Sequence, residues 1–272
     1  MMHVRNSSER ADEASSAEVV VERISEGVTQ LRLNRPERLN ALGLSMVRNL
    51  RDAVEALAND GTRVLLIRGS GRAFCSGADL KERQTMSVDQ RVEHNAAINA
   101  AIDAIAETPV PTIAVVNGLA FGGGCEVALA CDMRVAALDA LIGLTETRIG
   151  VIPGAGGTMR LPRLIGSALA LEMMLSGEPV TAERAREMGL VNHAVPVGEL
   201  DHRVAQLAAL IASRSPLGTR EIKRLVRDAP DLTASECLQN ERRSLVRVVA
   251  SEDYAEGLAA FAARRAPVFV GR

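Results

Sequence analysis

The stretch Pro109–Asp132 reads PVPTIAVVNGLAFGGGCEVALACD, and it contains a strand, a turn and a helix in succession. Thr112–Val116 is an apolar, β-branched run of the kind that forms a buried strand. Gly118–Gly124 is a glycine-rich turn, and Glu126–Cys131 has helical character. Met133–Ala136 predicts the next strand. Strands that alternate with helices are typical of an α/β fold with parallel pairing.

The segments before this stretch continue the same alternation. Apolar patterning predicts, in chain order, strands at Val19–Arg23 and Val28–Leu33, a helix over Leu44–Leu57, a buried strand at Arg63–Arg68 and a helix from about Ser87 to Glu107. The order of these elements indicates that the α/β core begins near Val19.

The segments after the stretch change character. Beyond Thr181, strand-like runs almost vanish apart from Leu190–Val195, and four helices are predicted, at Leu200–Ser213, Pro216–Asp228, Thr233–Val249 and Asp253–Arg264. We therefore divide the chain into a flexible N-terminal extension (residues 1–18), an α/β core (residues 19–197) and a helical C-terminal region (residues 198–272).

Composition excludes several classes of protein. Of the 272 residues 47% are hydrophobic and 24% are charged, which excludes a disordered chain. The net charge of −2 and an aromatic content of 2% argue against a nucleic-acid partner. No uncharged apolar run reaches about 18 residues, so no membrane span is expected. The polar N-terminus lacks the apolar region of a signal peptide, so we expect a cytoplasmic protein with reduced cysteines.

The three glycines Gly122–Gly124 and the glutamate that follows them, Glu126, form the first candidate site. Bare backbone N–H groups at the start of a helix suit an oxyanion or a phosphate. The apolar neighbours of Glu126 favour a raised pKa, which suits acid–base chemistry. The alternative interpretation is close helix–strand packing of the glycines, with Glu126 exposed beside the helix dipole.

Two further segments could complete this site. The small residues of Ser76–Asp79 can present another backbone N–H, and Asp79 is placed to cap a helix that starts near Leu80. Glu146 lies between glycine turns, and the turn at Gly154 can expose one more N–H group. The alternative for Glu146 is a surface ion pair with Arg148. Two glutamates and two separated N–H donors would together hold a carbonyl group and move protons beside it.

Several segments then match one family in the correct order. NRPERLNAL (residues 34–42), FCSGADLKER (74–83), the opening stretch (109–132) and ETRIGVIPGAGGTMRLPR (146–163) resemble the crotonase superfamily of enoyl-CoA hydratases and isomerases. The resemblance covers residues from about 19 to 272. It implies an α/β fold of the crotonase type, a spiral of ββα units with a C-terminal helical trimerisation region, assembled as a homotrimer or a dimer of trimers.

The resemblance also implies an acyl-CoA substrate and a set of catalytic groups. The backbone N–H groups of Ser76 and Gly123 would form the oxyanion hole. Glu126 and Glu146 correspond to the two glutamates of the hydratases: Glu126 would orient and activate water, and Glu146 would transfer a proton at Cα. The N–H of Gly154 would help to position that water.

The CoA part of the substrate is expected along two loops and near the last helix. By resemblance its contacts are Arg38, Leu39, Ala41, Gly77, Ala78, Asp79, Leu80, Phe261 and Arg264, the last reaching a neighbouring subunit's CoA. Coenzyme A belongs to the substrate, so no separate cofactor is expected. The spacing of the cysteines and histidines matches no zinc pattern, so no metal is expected either.

One departure leaves the exact reaction open. Thr145 stands where short-chain enoyl-CoA hydratases have proline, and its surroundings resemble the methylglutaconyl-CoA hydratase branch. The alternatives are therefore a Δ3-Δ2 isomerase, a methylglutaconyl-CoA hydratase or a decarboxylase on the same scaffold. Some members of that branch bind RNA through a lysine-rich helix, but the helix that begins at Lys81 is lysine-poor, so RNA binding does not carry over.

Overall fold

Two β-sheets form the centre of the protein in the computed structural model, which describes residues 17–272. The first has the strand order β1-β2-β3-β5-β7-β10 and the second β4-β6-β8-β9. The strands are β1 Val19–Ser25, β2 Val28–Leu33, β3 Val64–Gly69, β4 Ala73–Cys75, β5 Thr112–Val116, β6 Leu119–Phe121, β7 Met133–Ala137, β8 Leu141–Gly143, β9 Val180–Thr181 and β10 His193–Val195. The predicted extension over residues 1–18 lies almost wholly outside the described residues.

Eleven α-helices connect and cover these strands in the described part of the chain. They are α1 Leu44–Leu57, α2 Leu80–Gln84, α3 Val88–Glu107, α4 Gly123–Ala130, α5 Gly157–Ile165, α6 Ser167–Ser176, α7 Ala182–Glu187, α8 Leu200–Ala212, α9 Pro216–Asp228, α10 Ala234–Val249 and α11 Glu252–Ala263. The predicted helix starts have the expected caps. Asp79 accepts hydrogen bonds from two backbone N–H groups of α2, and Ser87 forms a capping box with Gln90 at the start of α3.

The chain repeats a ββα unit. In β3–β4, β5–β6 and β7–β8, the first strand joins the six-stranded sheet, the second joins the four-stranded sheet, and a helical segment follows. From β2 to β10 the six-stranded sheet is parallel, with only β1 antiparallel. The predicted α/β spiral of ββα units is confirmed. Sequence patterning missed the four-stranded sheet, because strands of two or three residues are too short to show a period.

The interior is divided between the two faces of the six-stranded sheet. Residues such as Leu31, Leu65 and Ile67 are fully buried in the larger apolar cluster, which includes α1, α3 and α4. The opposite face is covered by α8, whose Leu200, Val204, Ala208 and Ala212 pack against Val64, Leu66, Ile113, Val115 and Val135. The first helix of the predicted C-terminal region therefore shares a core with the sheet, because its apolar stripe covers that face.

At Gly124, helix α4 packs tightly against the end of β4. A Cβ atom on Gly124 would lie 2.1 Å from the carbonyl oxygen of Cys75. We expect Gly124→Ala to lower the free energy of unfolding by about 3 kcal/mol or more, because both clashing groups are held by the backbone. Gly198→Ala is the matched control, since a Cβ there meets no atom within 4 Å. Urea unfolding of both variants measures the difference, and equal stabilities would contradict this packing.

Candidate active site

Glu126 lies in the first turn of α4 and points into the protein. Its side chain is 2% exposed, and Oε1 accepts hydrogen bonds from the backbone N–H groups of Ala155 (2.7 Å) and Gly157 (2.9 Å). Burial raises the pKa of Glu126, and the two N–H donors counteract part of that rise. The exposed first-turn alternative for Glu126 is therefore wrong. The loop before α5 holds one carboxylate oxygen in place.

Glu146 lies in the short 3₁₀ helix Glu146–Ile149, which follows β8. Its Oε1 is 3.2 Å from the position that a Cβ on Gly122 would occupy, so the carboxyl group rests on bare backbone. Its Oε2 is buried and has no hydrogen-bond partner among the described residues. Burial, with a contribution from the charge of Glu126, raises the pKa of Glu146 to about 7. Arg148 pairs with Glu178 instead, so the surface-pair alternative is wrong.

The two carboxyl groups differ in their surroundings. Burial raises the pKa of both, and the charge of Glu126 adds to the rise at Glu146. Two backbone N–H groups of the loop before α5 donate to Oε1 of Glu126, whereas Glu146 has only its own backbone N–H to stabilise the anion, and its Oε2 has no partner among the described residues. These surroundings stabilise the anion more at Glu126 than at Glu146.

Gly122 supports Glu146 through its backbone conformation. Its φ of 51° and ψ of −125° lie in a region that side chains disfavour. The same residue follows β6 and precedes the N–H groups at the start of α4. A side chain here would both strain the turn and displace the Glu146 carboxyl group. The glycine-rich turn therefore positions a carboxyl group as well as exposing N–H donors.

The structure corrects one predicted oxyanion donor. The N–H of Ser76 donates to the carbonyl of Leu39 (3.0 Å), so it is not available to a ligand. Gly77 has a φ of +93°, which turns the chain between Ser76 and the next donor, Ala78. The Ala78 nitrogen lies 3.7 Å from the place of a Cβ on Gly123, and residues 17–272 contain no acceptor for its N–H.

Gly123 keeps its predicted place. It is the first residue of α4, so its N–H has no acceptor within the helix. The geometry therefore offers the N–H groups of Ala78 and Gly123 as the neighbouring pair. Gly77 was the feature of the sequence that could have pointed to Ala78. Its positive φ turns the chain, and the N–H of the residue that follows is therefore free.

The predicted CoA-contacting loops lie side by side. A bridge between Leu42 and Ala78 joins the loop of Arg38, Leu39 and Ala41 to the loop of Gly77–Leu80, with Leu42 N–H donating to Gly77 and Asp79 N–H donating to Leu42. The bond between Ser76 and Leu39 adds a third link. Ala41 is buried, whereas Arg38 and Leu80 are exposed. The two loops therefore form one continuous edge, along which these residues lie.

Asn40, which sequence reasoning did not single out, fixes that edge. Its side chain is fully buried, and Nδ2 donates to the carbonyl oxygens of Ser70, Ala73 and Phe74, while Oδ1 accepts from the N–H of Arg35. Its φ of 55° lies in the left-handed region, which asparagine tolerates better than most residues. Asn40 therefore couples the first loop to β3 and β4. It is the second asparagine of the NRPERLNAL segment.

Gly154 lies at the mouth of the site, next to Ala155 of the Glu126 loop. Its carbonyl oxygen accepts from Asn95 Nδ2 at 3.0 Å, and the residue is exposed. A Cβ on Gly154 would come within 3.1 Å of the Asn95 amide. The role of the Gly154 N–H in positioning water stays a prediction.

Two predicted contacts lie apart from this group in a single chain. Phe261 is 86% exposed on α11, a helix that packs against α10. Arg264 follows the helix in the left-handed conformation, and in the described chain it forms no ion pair, unlike Arg265, which pairs with Glu256. Their role toward a neighbouring subunit's CoA stays a prediction.

Other features of the molecule lie outside the site. A cleft of about 1170 Å³ between α9 and the core is lined by residues such as Arg134, Met159 and Ile222, and by none of the predicted catalytic residues. Burial raises the pKa of the Cys75 thiol to about 12, which fits a packed residue. Within residues 17–272, no helix has the length and apolarity needed to cross a membrane.

Comparison with known proteins gives consistent matches. The family model "Enoyl-CoA hydratase/isomerase" matches residues 23–272. The chain is 42% identical to the mouse enoyl-CoA hydratase domain-containing protein 2, mitochondrial, over 91% of this chain and 86% of that protein. It is 38% identical to human methylglutaconyl-CoA hydratase, mitochondrial, over 92% of this chain and 76% of that protein.

A solved structure extends the comparison to the fold. The enoyl-CoA hydratase from Bacillus anthracis superimposes with a TM-score of 0.92 at 38% identity, covering 94% of this chain and all of that one. Both mammalian relatives are named as mitochondrial. The cytoplasmic location of this chain therefore stays a prediction.

Proposed function

This chain belongs to the enoyl-CoA hydratase/isomerase family, and we propose that it adds water across the 2,3 double bond of a 2-enoyl-CoA thioester. The observation that carries the proposal is a pair of carboxyl groups with different hydrogen-bond partners, buried Glu126 and half-buried Glu146, beside the backbone N–H groups at the start of α4. Hydration needs a base for water and an acid for carbon, and this site supplies both.

The first step is polarisation of the thioester carbonyl. Its oxygen would accept from the N–H groups of Ala78 and Gly123, at the N-terminus of α4, where the helix dipole favours negative charge. Electrons then move from the double bond toward that oxygen as an enolate develops. Each such donor contributes about 2.7–4 kcal/mol to stabilisation of the transition state.

The second step is the addition of water to the double bond. Ionised Glu126 takes a proton from water, the water oxygen bonds to C3, and the double-bond electrons shift to the thioester oxygen. Protonated Glu146 then gives its proton to C2, and the carbonyl re-forms. The product is a 3-hydroxyacyl-CoA. The proton now on Glu126 must pass to Glu146 before the next turnover.

A Δ3-Δ2 isomerase is the nearest alternative reaction. Such a reaction moves one proton between C2 and C4, for which one carboxyl group is enough. The two N–H groups that donate to Glu126 stabilise its carboxylate as a base for water, which favours hydration instead. Mass spectrometry of the products from 2-enoyl, 3-enoyl and carboxylated acyl-CoA substrates separates hydration, isomerisation and decarboxylation.

A homotrimer, or a dimer of trimers, remains part of the proposal. Apolar side chains on the last two helices are exposed in the single chain, among them Leu245, Val246, Leu258 and Phe261. An exposed apolar surface of this kind is typical of a protein–protein interface.

The test is the ultraviolet absorbance of crotonyl-CoA mixed with the purified protein. We expect absorbance to fall as the conjugated enoyl thioester is hydrated. We also expect kcat/KM to decline as pH rises through about 7, because Glu146 must hold its proton and its pKa is about 7. Unchanged absorbance with crotonyl-CoA, longer 2-enoyl-CoA and carboxylated 2-enoyl-CoA substrates would contradict the proposal. A rate that kept rising to pH 9 would contradict the role of Glu146 as the acid.

A further inference from the structure

Arg83, on helix α2, is a half-buried guanidinium without a carboxylate partner in the described part of the chain. The two nearest acidic side chains on its own element are engaged elsewhere: Asp79 pairs with Arg35, and Glu82 accepts from the N–H of Leu44. A second guanidinium, Arg91, donates to the Arg83 carbonyl oxygen. A half-buried cation in this setting lacks a counter-charge, which is unfavourable.

The contacts of Arg83 hold its side chain in one orientation and leave part of its guanidinium group without a close hydrogen-bond partner. Its Nε donates to Nδ1 of His94 at 3.2 Å, so that ring nitrogen carries no proton. The other ring nitrogen, Nε2, therefore carries the proton and donates to the carbonyl of Leu42 at 2.9 Å. The terminal nitrogens of Arg83 form only one long contact, 3.5 Å, to Asn95 Oδ1. The paired N–H edge of the guanidinium is thus available to a ligand.

Two hydrogen-bond chains connect Arg83 to the active site. His94 links it to Leu42, which bridges Ala78 of the oxyanion loop. Asn95 links it to the carbonyl of Gly154, the residue before the Ala155 N–H that holds Glu126. Arg83 therefore lies between the two loops that form the opposite sides of the site.

We infer that Arg83 binds a carboxylate on the acyl group, so that the preferred substrate is the CoA half-thioester of an unsaturated dicarboxylic acid. The inference rests on the proposed function and specifies its substrate class. A carboxylate accepts two parallel N–H bonds from a guanidinium edge, and it supplies the charge that the site lacks. His94 and Asn95 hold the guanidinium in place without neutralising it.

A pair of five-carbon substrates tests the inference in turnover. Glutaconyl-CoA and 2-pentenoyl-CoA have the same chain length and differ in the terminal carboxylate. We expect Arg83→Gln to lower kcat/KM for glutaconyl-CoA about 10- to 150-fold, and to change the value for 2-pentenoyl-CoA less than about threefold. Arg48→Gln, which removes an exposed guanidinium on α1, is the matched control and should change neither. An equal loss on both substrates would overturn the inference, because Arg83 would then only hold His94 and Asn95.

A binding measurement on the wild-type protein tests the inference without turnover and without the Arg83→Gln variant. Calorimetry of the wild-type protein with glutaryl-CoA and pentanoyl-CoA, which cannot be hydrated, should show at least about tenfold tighter binding of glutaryl-CoA. Equal affinities would overturn the inference even if Arg83→Gln failed to fold. Preferential binding of glutaryl-CoA without hydration of any 2-enoyl-CoA would contradict the proposed function and support the inference.

Discussion

Glu146→Gln is expected to abolish most hydration while making the protein more stable. The substitution removes the proton donor for C2, which lowers kcat by about 10²–10⁴-fold. It also removes a buried carboxyl group whose Oε2 has no partner in the described structure. The variant should therefore bind the substrate with a similar KM and turn it over slowly.

The stability gain depends on pH in a defined direction. The pKa of Glu146 is raised from 4.5 to about 7 on folding, so the folded state binds the proton more tightly than the unfolded state. The resulting stabilisation is complete below pH 4.5 and is lost as pH rises through 7. At pH 8 the wild type lacks it, and Glu146→Gln should be more stable by up to about 3 kcal/mol.

Urea unfolding at pH 5 and pH 8, with the crotonyl-CoA assay, measures both effects. Glu172→Gln is the matched control, because this glutamate is exposed and should affect neither turnover nor stability. A Glu146→Gln protein with near wild-type turnover would refute the two-carboxylate mechanism. A variant that is less stable than wild type at pH 8 would contradict the raised pKa.

Glu126→Gln is the second change with a large expected effect. The glutamine Oε1 can still accept from the N–H groups of Ala155 and Gly157, so the loop before α5 should keep its position. The amide cannot take a proton from water, and we expect kcat to fall by about 10²–10⁴-fold. Circular dichroism and the urea midpoint should remain close to those of the wild type.

Glu126→Ala separates the chemical role of this side chain from its structural role. Without an acceptor, two buried N–H groups lose their partner, which costs about 1–3 kcal/mol for each. We expect Glu126→Ala to be inactive and destabilised, and Glu126→Gln to be inactive and stable. Hydration by Glu126→Gln within about threefold of wild type would exclude Glu126 as the base and would contradict the two-carboxylate mechanism.

Prediction from sequence succeeded where local patterns were long. The predicted helices Leu200–Ser213 and Pro216–Asp228 agree with α8 and α9 to within one residue at each end, because their apolar spacing persists over several turns. The second sheet was missed, since Ala73–Cys75 and Leu141–Gly143 are too short to carry a period. The tertiary contacts between successive turns of the spiral create those strands.

By itself the sequence determined the α/β class through its periodicity, whereas the ββα units and the two candidate glutamates came from the family that its motifs resemble. Only the tertiary structure decided which backbone N–H is free. The N–H of Ser76 donates to the carbonyl of Leu39, and the positive φ of Gly77 turns the chain so that the N–H of Ala78 has no acceptor among residues 17–272. It also decided how the surroundings of the two glutamates differ. That difference depends on burial and on hydrogen-bond donors about 30 residues away from Glu126 along the chain, and no local pattern encodes either.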